Sequence, residues 1–214
     1  MHSILLIDSQ DIVRFALQTL IANCPLVRLA GSAATLADGL RQIAQLQPDL
    51  VICDLTLTDS TGLPTLRAIT QAQQPRRTLV FSMQDEALYG PQVLALGANG
   101  FVSKAAAHAA VLDAALKVLD GDVSVSARLG NKLVRETLHR LRGRGSAPAH
   151  HGPTALTTRE LEVLEQLRSG KSTKQIASAL DLSVRTVDVH RSRIKSKLGF
   201  RTGAELIVYA AQQS

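Results

Sequence analysis

The sequence predicts an α/β chain, in which a doubly wound, five-stranded parallel sheet is followed by a small all-α helix-turn-helix domain. Five short apolar runs alternate with amphipathic helical segments up to about residue 121, whereas only helical periodicity continues beyond residue 153. The third run, Leu50–Cys53, is unbroken, which is typical of a parallel strand covered by helices on both faces.

The first predicted domain, residues 1–121, has strands at about 3–8, 27–31, 49–54, 78–82 and 99–103. Helices follow at about 11–23, 35–46, 63–73, 91–97 and 106–119. In the first helix, for example, Leu17, Leu20 and Ile21 share one face. We expect the fourth helix to begin at Pro91 and residues 85–90 to form a loop, because proline is tolerated in the first turn but breaks a helix interior.

Residues 122–153 are predicted to join the domains as a helix and a tether. Leucines at helical spacing among basic residues predict the helix over 128–142, and we expect it to pack against one of the domains. Residues 143–153 are rich in Gly and Pro and contain no large apolar side chain, which indicates a flexible tether. His150 and His151 lack a third ligand, so we expect them to be solvated rather than to bind a metal.

The last predicted domain, residues 154–214, contains four helices. The first is opened by a capping box of Thr157 and Glu160, and a short second helix covers 173–180. Ser183 caps a longer, basic third helix that ends at Leu198, and the last helix covers about 202–212. A helix, a tight turn and a basic helix form the helix-turn-helix arrangement, whose second helix enters the DNA major groove.

Charge is distributed unevenly along the chain. Residues 1–121 hold 8 basic and 10 acidic side chains, a net charge of −2, whereas residues 122–214 hold 16 and 8, a net charge of +8. This asymmetry indicates that the second half meets a polyanion. Met1-His-Ser leads directly into a strand, no apolar run approaches membrane-spanning length, and Cys24 and Cys53 fit no metal spacing. We therefore expect a cytoplasmic protein with no membrane partner.

Polar side chains end four of the five apolar runs. They are Asp8, Asp54, Ser82 and Lys104. For one aspartate alone, a carboxylate that starts the next turn would be the simpler interpretation. Because the carboxyl ends of parallel strands meet at one edge, the four side chains together indicate a phosphoryl-transfer pocket.

This first half resembles the receiver domain of bacterial two-component response regulators, which has a flavodoxin-like fold, in the order Asp8, Asp54, Ser82, Phe101, Lys104. The resemblance implies that Asp54 accepts a phosphoryl group from a sensor histidine kinase. It implies Mg²⁺ on Asp8, Asp54 and the carbonyl of Thr56. It also implies that Lys104 and Ser82 contact the phosphate and that Phe101 rotates inward as Ser82 moves.

Two departures from the receiver pattern follow the first and third strands. Receivers usually carry a second acid directly after the first, and that acid ligates the metal; here Ser9 stands in its place, and Thr58 replaces a usual proline. We expect Asp11 to charge the first helical turn instead. The sequence therefore predicts weak Mg²⁺ binding and an atypical regulator with little dependence on phosphorylation. The alternative is that Ser9 holds the metal through water and that phosphorylation activates the protein conventionally.

The second half resembles the LuxR-type DNA-binding domain, in the stretches 156–160, 170–177 and 183–190, and the whole chain resembles NarL/FixJ-family response regulators. The resemblance implies a homodimer on promoter half-sites, with RNA polymerase as a possible further partner. Many members have Lys at the position of Asp188. The expected DNA-binding residues are Lys171, Lys174, Arg185, Thr186, Asp188, Val189, Arg191, Ser192, Arg193, Lys195 and Lys197, and the expected dimerisation residues are Leu206, Ile207, Tyr209 and Ala210.

Two other classes of function compete with a transcription regulator. A doubly wound enzyme is disfavoured because no Gly-x-Gly-x-x-Gly or Walker-type loop follows a strand, and no His or Cys stands at a strand end as a catalytic residue. A protein-interaction module, in which the basic half only confers solubility, would bind DNA without sequence preference. We therefore expect no enzymatic activity and sequence-specific binding of double-stranded DNA.

Overall fold

The computed structural model describes residues 1–106, 109–142 and 156–212. The chain divides into two compact units, Met1–Arg142 and Gly143–Ser214. The predicted tether at 143–153, with His150 and His151, lies outside the described residues. Within the described ranges, no helix combines the length and the apolar character that crossing a membrane requires.

The first unit is built on the predicted parallel sheet. Its strands pair in the order β2-β1-β3-β4-β5, and every pairing is parallel. All four residues of β3 are buried at the centre of the sheet, as the unbroken apolar run predicts. The strands are β1 His2–Ile7, β2 Val27–Ala33, β3 Leu50–Cys53, β4 Arg77–Ser82 and β5 Gly100–Ser103.

Four helices connect the strands, and a fifth follows the last strand. They are α1 Asp11–Ala22, α2 Leu36–Leu46, α3 Leu63–Gln73, α4 Glu86–Ala95 and α5 Ala109–Asp120. The predicted start of the fourth helix is wrong, because α4 begins at Glu86 and contains Pro91. Asp85 caps α4 by accepting a hydrogen bond from the backbone N–H of Ala87 at 2.8 Å, and Tyr89 is fully buried. The cap and this burial offset the backbone hydrogen bond that proline cannot donate.

The chain after α5 adds to the edge of the sheet. The N–H of Phe101 donates to the carbonyl of Ser124 at 2.9 Å, and the N–H of Ser124 donates to the carbonyl of Asn99 at 3.0 Å. A Cβ on Gly100 would lie 2.4 Å from the Ser124 carbonyl oxygen, so only glycine permits this close approach.

The helix predicted in the join is α6, Ala127–Arg142, and it belongs to the first compact unit. Its buried Leu129 packs against Gly90 of α4, where a Cβ would meet the Leu129 Cδ2 atom at 2.4 Å. The backbone N–H of Ser126 donates to a Glu86 carboxylate oxygen at 2.8 Å. These contacts agree with the expectation that the helix packs against one of the domains.

The second unit consists of α7 Thr158–Arg168, α8 Thr173–Ala179, α9 Val184–Leu198 and α10 Gly203–Gln212. The predicted capping box at the start of α7 is confirmed: the Thr157 hydroxyl accepts from the Glu160 N–H at 3.3 Å, and Glu160 Oε2 accepts from the Thr157 N–H at 2.7 Å. Ser183 caps α9, as expected. The buried core of the unit includes Leu161, Val163, Leu164, Ile176, Val187, Ile194, Leu206 and Ala210.

Candidate functional site

The four polar side chains at the strand ends come together in one pocket. Asp8, Asp54 and Lys104 directly follow β1, β3 and β5, and Ser82 is the last residue of β4. Lys104 Nζ lies 2.6 Å from Asp8 Oδ2 and 2.6 Å from Asp54 Oδ2. The Ser82 hydroxyl donates to Asp54 Oδ1 at 2.6 Å. The structure therefore brings together all four residues that the sequence places at this edge.

The pocket is buried and carries more negative than positive charge. The exposed side-chain fractions are 5% for Lys104, 4% for Asp8 and 7% for Asp54, so water screens these charges little. Burial raises the pKa of Asp8, and the hydrogen bonds from Lys104 and from the Gln10 N–H oppose this shift without cancelling it. One ammonium serves two carboxylates, so the three side chains sum to one unit of negative charge when both acids are ionised.

The oxygen atoms around this pocket are of the kind that Mg²⁺ prefers, namely two carboxylates and the carbonyl of Thr56. Both carboxylates already contact Lys104, and the Ser9 hydroxyl donates to the Thr56 carbonyl at 3.2 Å. Asp11 is turned away, since its side chain is 91% exposed and paired with Arg14. Among the residues that the structure describes, no three His, Cys, Asp or Glu side chains converge as a metal-binding group. The donor set therefore suits the ion chemically but is small and already engaged.

The two residues expected to move on phosphorylation are already inside the unit. Phe101 is 2% exposed and Ser82 is 1% exposed. The Ser82 hydroxyl contacts the carboxylate of unmodified Asp54. The Phe101 side chain is therefore already buried in the unmodified chain, and its rotation on phosphorylation stays a prediction.

Asp59 is a residue of this region that the sequence did not single out. Its carboxylate accepts from the backbone N–H of Leu36 at 2.8 Å and from that of Ala37 at 3.0 Å, at the start of α2. The N–H donors of Ala37 and Leu36 lower the pKa of Asp59. Asp59 thus ties the loop that carries Thr56 to α2, and more than 20 residues separate the partners, so no local pattern reveals the contact.

The second candidate site is the exposed face of α9. Val187 and Ile194 are fully buried, which fixes the rotation of the helix as its periodicity predicts. Val189 is 43% exposed on the outward face. The other expected DNA-binding residues divide by exposure: Lys171, Lys174, Arg185, Asp188, Ser192 and Arg193 are exposed, whereas Thr186, Arg191, Lys195 and Lys197 are half-buried.

Two expected phosphate-binding residues of α9 have partners inside the unit. Lys197 Nζ lies 2.7 Å from Glu160 Oε2, and Arg191 donates to the Thr173 hydroxyl at 2.7 Å. Burial raises the pKa of Glu160, but the Lys197 ammonium and the Thr157 N–H outweigh burial and hold that pKa below its ordinary value. Lys197 is therefore a structural partner of Glu160 in this structure, and its contact with a DNA phosphate stays a prediction.

The last helix presents a different surface from the predicted one. Leu206 and Ala210 are 1% and 0% exposed, so they belong to the core of their own unit and are corrected as dimerisation residues. Tyr209 is half-buried against the ring of Phe200, with ring centroids 5.2 Å apart. Ile207 and Val208 are 50% and 55% exposed, and they are the large exposed apolar side chains in the described part of α10.

Two family models match the chain. The model described as the response regulator receiver domain matches residues 4–116, and the model described as bacterial regulatory proteins of the luxR family matches residues 154–210. The transcriptional activator protein ExaE of Pseudomonas putida is 36% identical over 212 residues, which are 98% of this chain and 95% of ExaE. The Fimbriae Z protein of Salmonella typhimurium is 32% identical over 211 residues, which are 97% of this chain and 95% of that protein.

One solved structure is similar along almost the whole chain. It is RcsB from Salmonella enterica serovar Typhimurium, bound to the promoter rprA in the presence of the phosphomimetic BeF3−. The TM-score is 0.75 at 20% identity, and the match covers 99% of both chains. This likeness concerns the fold, a five-stranded parallel sheet followed by a helical domain.

Proposed function

The chain belongs to the NarL/FixJ family of two-component response regulators, with a receiver domain ahead of a LuxR-type DNA-binding domain, and on that premise we propose how its two sites work. The exposed face of α9 enters the major groove of promoter DNA, in two copies on related half-sites. The pocket around Asp54 belongs to an atypical receiver, whose control of DNA binding depends little on phosphorylation.

The proposal for DNA rests on the division of α9 into two faces. Because Val187 and Ile194 are buried, the opposite face is free to enter a groove. Small and polar side chains there allow close approach to base edges, and we assign base contacts to Asp188, Val189 and Ser192. Phosphate contacts are assigned to the surrounding basic side chains Lys171, Lys174, Arg185, Arg193 and Lys195.

Two copies are needed because one small helix-turn-helix module buries too little surface for high affinity. The exposed apolar pair Ile207 and Val208 on α10 supports pairing of two DNA-binding domains. Replacing both by Glu should abolish cooperative binding to paired half-sites while the domain stays folded, as circular dichroism would show. Undiminished cooperativity in that folded variant would rule out this surface as the dimer contact.

The receiver proposal rests on the bridging position of Lys104. Its ammonium already neutralises part of the charge of Asp8 and Asp54, at 2.6 Å from each. Ser9 adds no carboxylate and its hydroxyl engages the Thr56 carbonyl. Asp8, Asp54 and the Thr56 carbonyl would hold Mg²⁺, which when bound neutralises charge on phosphoryl oxygens. We propose that this affinity is low and that a sensor histidine kinase phosphorylates Asp54 slowly.

The unmodified pocket also supports phosphorylation-independent output. Ser82 and Phe101 are both buried, and the Ser82 hydroxyl is engaged with Asp54 before any phosphoryl group is added. A conventional, phosphorylation-activated regulator is the second candidate. The observation that favours it is the complete set of Asp54, Ser82 and Lys104 within hydrogen-bonding distance.

The deciding experiment uses the full chain with Mg²⁺ and a small phosphodonor, followed by mass spectrometry and DNA-binding titrations. We expect slow or absent labelling of Asp54 and the same DNA affinity with and without the phosphodonor. Ser9→Asp should raise Mg²⁺ affinity about 5- to 150-fold, as an added carboxylate would, and should speed labelling. Ser9→Ala is the matched control, because it adds no ligand. Labelling of the unmodified chain within minutes at millimolar Mg²⁺, with a parallel rise in DNA affinity, would establish the conventional regulator instead.

A further inference from the structure

Asp188 is an exposed acid on the otherwise basic α9. Three of its nearest helical neighbours are Arg185, Arg191 and Ser192, at spacings of three or four residues. Arg191 donates to the Thr173 hydroxyl instead of pairing with the acid. Over the described parts of the chain, the Asp188 carboxylate has no ion pair and no hydrogen-bond partner, so it is free to meet a ligand.

Helix stability does not account for this acid. An acid stabilises a helix in the first turn, near the positive end of the dipole. Asp188 is the fifth residue of α9, just after the first turn, and Ser183 already caps the helix through the N–H of Thr186 at 3.0 Å. No basic residue stands four positions after Asp188, where an ion pair would form most readily, because that residue is Ser192.

Attraction to the DNA backbone does not account for it either. Phosphate groups repel a carboxylate, so an acid on this face weakens binding to every sequence. The Asp188 carboxylate therefore lowers the affinity for DNA and does not stabilise the fold. An acid on a face that meets bases can still add specificity, because it disfavours bases that present acceptor atoms.

We propose that Asp188 determines specificity by accepting a hydrogen bond from the exocyclic amino group of cytosine in the major groove. The inference rests on the proposed function, in which the outward face of α9 contacts bases. Cytosine presents the N4 amino donor, whereas guanine presents the N7 and O6 acceptors and thymine presents O4 beside a methyl group. Adenine pairs its N6 donor with an N7 acceptor, so only one carboxylate oxygen is satisfied there. The expected order is cytosine, then adenine, then guanine and thymine.

The Asp188 carboxylate thus favours one base and disfavours two others. Its hydrogen bond favours cytosine, and its charge opposes the acceptor atoms of guanine and thymine. A good side-chain contact of this kind changes relative affinity by about 5- to 150-fold at one base pair. Phosphate contacts from Arg185 and Arg193 supply affinity without that preference.

The test is binding-site selection by the unmodified full chain on randomised duplex DNA at one fixed salt concentration. We expect enrichment of a C·G base pair at one position of each half-site. Asp188→Ala should lose preference at that position alone and bind non-specific DNA more tightly. Asp188→Asn should shift the preference towards adenine, which an amide contacts through both N6 and N7. Asp122→Asn removes the same charge from an exposed position in the first unit and should leave the profile unchanged.

The outcomes separate this inference from the function on which it rests. If the unmodified chain enriches no sequence, sequence-specific binding fails before any variant is considered. If a sequence is enriched but Asp188→Ala and Asp188→Asn give the same base profile as the parent, specific binding stands and the role of Asp188 is overturned. Enrichment of an A·T base pair by the parent at the position that these variants alter would also overturn it.

Discussion

Each compact unit buries a carboxylate against a lysine, and the two arrangements shift the carboxyl pKa in opposite directions. In the first unit, Asp8 lies 2.6 Å from Lys104 and its pKa is raised by burial. In the second unit, Glu160 lies 2.7 Å from Lys197, and its pKa is lowered although burial opposes the shift. The distances are similar, but the pairs differ in burial: the Lys104 side chain is 5% exposed, whereas the Lys197 side chain is 24% exposed.

Deeper burial is the main cause of the difference, and the number of acids per ammonium adds to it. Lys104 is shared between Asp8 and Asp54. Among the described residues, Glu160 is the one acid that Lys197 contacts, and the Thr157 N–H adds a second donor to Glu160. One ammonium compensates one buried carboxylate but not two. The second pair is therefore a structural contact that holds α9 on α7. The arrangement around Lys104 keeps one unit of negative charge when both acids are ionised, and this charge favours a cation or a proton.

Removing Lys104 should have the largest effect of the variants that follow. Lys104→Met leaves two buried carboxylates without their ammonium, which should cost about 3–5 kcal/mol of the free energy of unfolding at neutral pH. Chemical denaturation of the full chain measures this cost. Lys117→Met, at an exposed position on α5, is the control and should change little. Mg²⁺ should stabilise Lys104→Met more than the parent, because the ion no longer competes with the lysine for Asp8 and Asp54. Equal stabilisation of the two proteins would show that lysine and ion do not compete for these carboxylates.

Neutralising the acid of the second unit should have a smaller effect with a defined pH dependence. Because the folded pKa of Glu160 lies below its ordinary value of 4.5, its ionised form adds stability above that value. This stability is lost as the pH falls through the lowered pKa that Glu160 has in the folded chain. Glu160→Gln should cost about 1–3 kcal/mol at neutral pH, and the difference from the parent should vanish in acid. Hydrogen exchange in α7 and α9 measures the stability difference between Glu160→Gln and the parent. If that difference does not change with pH, the charge of Glu160 is not its cause.

The corresponding change in the first unit should have the opposite sign. The folded pKa of Asp8 lies above its ordinary value of 3.8, so the folded chain holds this proton more tightly than the unfolded chain does. The stability that this proton adds is fully present below pH 3.8. It is lost as the pH rises through the raised pKa that Asp8 has in the folded chain. Asp8→Asn, which is neutral at every pH, should therefore be more stable than the parent at neutral pH and lose this advantage in acid. Denaturation at several pH values measures it, and a destabilised variant at neutral pH would contradict the surplus of charge.

The sequence predicted the parts of this comparison that depend on local pattern. Unbroken apolar runs located the strands, and the parallel order then placed Asp8, Asp54 and Lys104 at one edge. The capping box placed Glu160 at the start of α7. Each of these signals lies within a few residues or follows from topology.

Tertiary contacts decided the rest. The partner of Glu160 is 37 residues away, so nothing near either residue distinguishes Lys197 from the exposed basic side chains of α9. Burial of Tyr89 and the Asp85 cap overrode the helix-breaking tendency of Pro91. The last helix has apolar residues on more than one side, and its periodicity does not reveal that Leu206 faces the core.

The smallest predicted effect concerns the basic side chains of α9. A side chain that is paired inside the unit is less available to contact a DNA phosphate than an unpaired one. Arg193 is exposed and should contact a phosphate, so Arg193→Ala should weaken binding to every sequence and reduce the log–log salt slope by about one. Lys197 is committed to Glu160, so Lys197→Ala should destabilise the unit but change that slope by less than Arg193→Ala does. Ser192→Ala should alter base preference while the slope stays constant, because a hydroxyl releases no counterion. Titrations at several salt concentrations compare the three, and equal slopes for Arg193→Ala and Lys197→Ala would mean that the ammonium leaves Glu160 when DNA binds.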